Sequence, residues 1–136
     1  MKVLLDTNVV LDVLLARKPH VADSARIFRL VEEGRVTGLL CATTLTTLDY
    51  LLIQSLGRSD ARPVLANLMR LFDVAPVTRT VIEGALRSKM VDFEDAVLVQ
   101  AARLAGAEAV ITRNIRDFAK AECAVFDPRQ FLAQMH

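Results

Sequence analysis

The 136-residue chain has no tryptophan, two histidines, two cysteines and five scattered glycines, and each shortage removes a class of chemistry. With only His20 and His136, neither an HExxH helix nor a Cys/His zinc site can be assembled. The glycines form no GxGxxG fingerprint, Walker loop or GxSxG elbow. Cys41 lies in an apolar run and Cys123 near the end, without CxxC spacing, so two reduced thiols are expected rather than a disulfide. No uninterrupted apolar run approaches the length of a bilayer span, and Asp6 and Asp12 interrupt any signal-peptide core. A cytoplasmic protein with no membrane partner is therefore expected. The formal charge is only +1, so no bulk polycation drives binding to nucleic acid. Arginine outnumbers lysine 13 to 4, which suits bidentate phosphate contacts, although coding bias and surface ion pairs explain the same skew.

What the chain has is aliphatic. At 53% hydrophobic and 5% aromatic, Leu, Val and Ala must build the core, and the length fits one domain over residues 1–136. Val3-Leu4-Leu5 reads as a short buried strand that ends at Asp6, followed by helical spacing through Val9, Val10, Val13 and Leu14. A second helix is expected after Pro19 and Asp23, with Val21, Ala25, Phe28 and Val31 on one face and Gly34 as its stop. Residues 38–42 read as the second strand. Thr43 or Thr44 can cap the next helix, which carries Leu45, Leu48, Leu52 and Leu56 and stops at Gly57. Ser59-Asp60 opens another helix to about Leu71, residues 72–77 form a weak strand, and Gly84 weakens a helical pattern over 80–88. Residues 93–104 are apolar nearly all round, as in a helix buried on most sides. Strands over 109–112 and 124–126 and a helix from Pro128 complete the chain. The alternation predicts an α/β fold: a parallel sheet covered on both faces, with helix starts gathered on its carboxyl edge.

Asp6, Asp95 and Asp117 all fall on that edge, each where a strand pattern meets a helix pattern. Each also has an ordinary explanation. Asp6 can N-cap the helix it precedes, while Asp92 with Asp95, and Asn114 with Asp117, have capping-box spacing. Capping accounts for each position singly but not for three carboxylates in one crevice, where they repel unless a cation intervenes. Mg²⁺ or Mn²⁺, which prefer oxygen ligands, answer that need. Such an ion polarises a phosphoryl oxygen and activates water near neutral pH, so the pattern points to a phosphodiester hydrolase. Arg113 and Arg116 flank the acids and are candidate phosphate contacts, with a solvated helix start as the plain alternative. A phosphatase of the haloacid-dehalogenase kind also places Asp after its first strand, but it needs a second Asp where this chain has Asn8.

The segments Leu-Leu-Asp-Thr-Asn-Val-Val-Leu-Asp at 4–12, Asp-Phe-Glu-Asp-Ala at 92–96 and Ile-Thr-Arg-Asn-Ile-Arg-Asp-Phe at 111–118 resemble the PIN-domain family. The resemblance is strongest to its compact VapC-type toxin members. It implies a single Rossmann-like α/β/α sandwich and a Mg²⁺- or Mn²⁺-dependent endoribonuclease that cuts RNA. A small antitoxin partner and a homodimer are also implied. Carried over, Asp6, Asp95 and Asp117 are the catalytic metal ligands, with Asn8, Asp92, Thr112 and Asn114 in support. In the family a Glu or Asp stands in the helix after strand two; here Thr47 holds that place and Asp49 is the nearest carboxylate. A catalytically weak RNA- or protein-binding module is the alternative function, and a metal-dependent phosphatase a further one.

Overall fold

In the central strands, alternate side chains enter two separate cores, and this fixes the layering. A computed structural model describes residues 1–135. Its strands are β1 (Lys2–Leu5), β2 (Thr37–Cys41), β3 (Asp73–Ala75), β4 (Ala109–Ile111) and β5 (Ala124–Phe126). Val3, Leu5, Leu40, Ala109 and Ile111 face one core, and Leu4, Leu39, Cys41 and Val110 the other. The first core is closed by α1 (Thr7–Leu14), α2 (Val21–Glu32), α3 (Ala42–Leu56), α4 (Arg58–Leu71) and α7 (Pro128–Gln134). The second is closed by α5 (Arg79–Arg87) and α6 (Phe93–Leu104). With helices on both faces, the central strands can be apolar throughout, as their sequences are.

The sheet order is β3-β2-β1-β4-β5 and every pairing is parallel, as expected of an α/β/α sandwich. The chain runs outward from β1 through β2 and β3, then returns to lay β4 against the other side of β1. The carboxyl ends of β1 and β4 therefore flank the point where the winding direction reverses, which is where open α/β sheets form a ligand crevice. The backbone is continuous across that point, because the Asp6 N–H donates to the Ile111 carbonyl at 2.9 Å.

Three local expectations are corrected. The buried face of α2 is Ser24, Ile27, Leu30 and Val31, whereas Ala25 is exposed and Val21 and Phe28 only partly covered. Neither Thr43 nor Thr44 caps α3, which begins at Ala42 directly after β2 and has no side-chain cap. Thr43 instead lies 3.2 Å from the Cys41 thiol, and Thr44 is buried. The expected strand over 72–77 shortens to Asp73–Ala75, since Phe72 serves as the C-cap of α4 and Pro76 has no N–H to continue the ladder; the Phe72 ring lies against Gly38 of β2. A Cβ at Gly38 would sit 2.6 Å from the Phe72 ring, so that close approach requires glycine. Among the described residues, no helix is long and apolar enough to cross a membrane.

Candidate functional site

Two strand ends build the centre of the edge. β1 delivers Asp6 and β4 delivers Thr112, two residues 106 apart in sequence, and the Thr112 hydroxyl donates to Asp6 Oδ2 at 2.8 Å. Asp6 also N-caps α1, its Oδ1 accepting from the Thr7 N–H at 2.8 Å. The Asn8 amide approaches Oδ2 at 3.4 Å, and Asn8 Oδ1 accepts from the Arg113 N–H at 3.3 Å. Thr112 Oγ1 accepts in turn from the Asn114 N–H at 3.1 Å. Asp6 is thus held in one orientation by neutral donors from the start of α1 and the end of β4, and its capping role is realised.

The α6 start supplies the second acid. Asp92 is its N-cap, accepting from the Asp95 N–H at 2.9 Å, which is one half of the capping box the spacing suggested. That bond fixes the first turn and leaves the Asp95 carboxyl free. Asp117 comes from a 3₁₀ turn over Ile115–Phe118. Asn114 precedes that turn without capping it through its side chain, so the Asn114/Asp117 capping reading is not realised. Asp92, Asp95, Asp117 and Arg116 line one cavity of about 420 Å³.

The charges there are unbalanced. Burial raises the Asp6 carboxyl above its ordinary range, hydrogen bonds from Thr112 and Thr7 oppose the shift, and Glu94 and Asp117 add to it by repulsion. Asp95 is pushed up to about 7, first by burial and then by the neighbouring charges of Asp6, Asp92, Asp117 and Glu94. Repulsion thus links Asp6, Asp95 and Asp117, the three acids chosen from sequence, into one electrostatic group. Sequence reasoning quoted Glu94 inside a motif and gave it no role. Its signal was adjacency to Asp95 on a helix start, where successive residues point about 100° apart.

The flanking arginines separate. Arg113 turns inward to Asp12, with Nε on one carboxylate oxygen and Nη2 3.3 Å from the other. Arg17 Nε lies 2.9 Å from Asp12 Oδ1, close enough to pair although its N–H is not aimed at the oxygen. Asp12 is thereby buried between two guanidinium groups, a structural role for Arg113 that its position in the motif did not disclose. Only Arg116 of the two opens onto the cavity of the acids. Thr47 and Asp49 are both partly buried on α3.

The donor set fits a hard divalent cation in kind: carboxylate oxygens, with neutral hydroxyl and amide groups orienting them. Among the described residues, no three His, Cys, Asp or Glu side chains converge tightly enough to enclose an ion by themselves.

A family model described as PIN domain matches residues 2–116. Among solved structures, the chain is similar to VapBC2 from Rickettsia felis bound to a promoter DNA fragment, at 14% identity and TM-score 0.73, covering 93% of this chain and 98% of that one. It is similar to a toxin–antitoxin complex from Klebsiella pneumoniae at 22% identity and TM-score 0.70, covering 93% and 97%. It is also similar to VapC20 of Mycobacterium tuberculosis, a sarcin–ricin loop cleaving toxin, at 18% identity and TM-score 0.62, covering 79% and 86%. At these identities the likeness establishes the fold. No curated protein matches the sequence.

Proposed function

The chain belongs to the PIN-domain family, whose members are typically metal-dependent nucleases, and from that premise we propose that it is a Mg²⁺- or Mn²⁺-dependent endoribonuclease, the toxin of a toxin–antitoxin pair. The observation that carries the reading is a buried, rigidly held Asp6 whose charged neighbours at the site, Glu94 and Asp117, are carboxylates. A fold that leaves such a group uncompensated at its ligand crevice gains from an external cation.

In this reading Asp6, Asp95 and Asp117 supply the oxygen ligands. Thr112 and Asn8 hold Asp6 in orientation, Asp92 fixes the turn that presents Asp95, and the Thr112–Asn114 link sets the turn that presents Asp117. When bound, the ion supplies Lewis-acid charge to the phosphoryl oxygens. Arg116, exposed beside the acids, meets a substrate phosphate, while Arg113 serves the scaffold. Attack of water on phosphorus leaves a 5′-phosphate and a 3′-hydroxyl, with no part for the 2′-hydroxyl. Likeness to a toxin–antitoxin complex supports a small antitoxin as partner.

Incubating the purified protein with single-stranded RNA, with Mn²⁺ or with EDTA, tests the reading. Metal-dependent 5′-phosphorylated fragments that vanish in Asp6→Asn are expected. Thr47, uncharged where the family has an acid, favours a second reading: a weak nuclease that acts by binding RNA or protein. RNA binding without cleavage at any Mn²⁺ concentration would select it, and hydrolysis of a small phosphomonoester instead would select a phosphatase.

A further inference from the structure

Asn8 and Asp12 stand four residues apart on one face of α1, and both hold Arg113. Asn8 Oδ1 accepts from the Arg113 backbone N–H, and the two Asp12 oxygens accept from its guanidinium. One residue is therefore fixed at its main chain and at the end of its side chain. The Asp12 side chain is fully buried, and a buried ion pair stabilises a fold little more than an apolar pair of equal volume. What the pair adds over an apolar contact is direction, because a fork on two oxygens sets an angle as well as a distance.

Arg113 is the near anchor of the turn that carries Asp117. The Asn114 N–H donates to the Thr112 hydroxyl, the Asp117 N–H donates to the Asn114 carbonyl, and Phe118 plants the far end of the turn in the second core. Between these anchors Asp117 is repelled by Asp6 and Asp95, which pushes the turn away from the edge whenever no cation is bound. We propose that Asp12 is a positioning residue: through the Arg113 fork it holds the Asp117 turn in register with Asp6 against that repulsion. Asp12 thereby serves the edge without touching metal or substrate. This rests on the nuclease reading of the same edge.

Arg113→Lys keeps the charge but replaces the fork with a single point contact, so the fold should survive while the turn loosens. In EDTA, amide hydrogen exchange is expected to quicken over Ile115–Phe118 and to stay unchanged in α3 and α6. Mn²⁺ binding, followed by isothermal titration, should weaken about tenfold, as when a group that orients a ligand is lost. Asp12→Asn, which keeps the shape and removes the charge, should weaken it as much. In an Asp117→Asn background neither change should weaken binding further, because the group they position is already gone. RNA cleavage should lose kcat with KM little altered. Additive losses in that background overturn the proposal, as does faster exchange spread evenly over the domain, which marks plain destabilisation. A raised KM with unchanged Mn²⁺ affinity also overturns it, since Arg113 would then be a phosphate contact. If the wild type binds Mn²⁺ and cuts RNA but both variants match it, the positioning role fails and the nuclease reading stands. If the wild type binds no Mn²⁺, both fail together.

Discussion

Asp6 and Asp12 lie six residues apart in one sequence motif, and both lose nearly all their water, yet the fold treats them in opposite ways. Asp12, fully buried, is answered by the guanidinium groups of Arg113 and Arg17. Asp6, at 9% exposure, receives only neutral donors, and its charged neighbours are Glu94 and Asp117. Burying a carboxylate is costly unless a counter-charge or strong hydrogen bonds compensate it. The chain supplies that counter-charge from within at Asp12, where the β4–3₁₀ corner is tied to α1. At Asp6 it supplies only orientation. The difference separates a charge used to build from a charge kept available, and it can be tested by removing each in turn.

The largest effect is expected from Asp6→Asn. Loss of a ligand carboxylate removes several kcal/mol of charge stabilisation at the reacting phosphate, so cleavage should fall roughly a thousandfold. Stability in EDTA should hold or rise, since the Asn oxygen still accepts from Thr7 and one repelling charge is gone. Asp12→Ala should do the reverse in kind, lowering folding stability by about 3 kcal/mol in a denaturant titration because two guanidinium groups lose their partner. Should Asp6→Asn unfold the protein while Asp12→Ala does no harm, the comparison is inverted and the site reading goes with it.

A smaller effect links the acids to pH. The Asp95 carboxyl, raised to about 7 from an ordinary 3.8, keeps in the folded state a proton that the unfolded chain has already released. A raised carboxyl makes stability fall with rising pH between those two values and level off above the upper one. The metal-free protein should therefore melt lower at pH 7.5 than at pH 5.5. At pH 7.5, Mn²⁺ at ten times its dissociation constant should restore about 1.4 kcal/mol by mass action. Melting curves that ignore both pH in this window and millimolar Mn²⁺ would remove the case for an external cation.

Much of this arrangement was legible beforehand, and the exceptions share a cause. β1, β4 and α6 were readable because their apolar runs are local: the Phe93–Leu104 helix stands where its all-round hydrophobicity placed it. The three acids were readable because strand ends and helix starts share one edge in any parallel α/β fold. Arg113 was misjudged because its partner lies 101 residues away, a distance that no local pattern spans. The α2 face was misread because that helix has more apolar residues than buried positions, and because Ser24 is buried without a hydrogen-bond partner. Strand order is likewise set by long-range packing, so the hydroxyl link from Thr112 to Asp6 had to come from the structure.

The smallest effect concerns α3, where the edge lacks an acid. α3 begins at the carboxyl end of β2, the strand beside β1, so its first turns lie next to Asp6. Thr44 is buried there, and Thr47, three residues on, shares its face, whereas Asp49 lies about 140° round the helix from Thr44. Asp49 instead stands four residues from Leu45 and from Ile53, both packed against the first core. Thr47→Glu adds charge to an edge already in deficit, so its sign depends on the metal. In EDTA the variant should lose a few tenths of a kcal/mol to like-charge repulsion. With Mn²⁺ it should gain up to about 1 kcal/mol, or roughly fivefold tighter binding, since a partly exposed charge pair contributes no more. Asp49→Asn should change neither quantity. Isothermal titration of both variants decides the matter: lost Mn²⁺ binding in Asp49→Asn, with no gain in Thr47→Glu, would mean that the other face of α3 meets the edge.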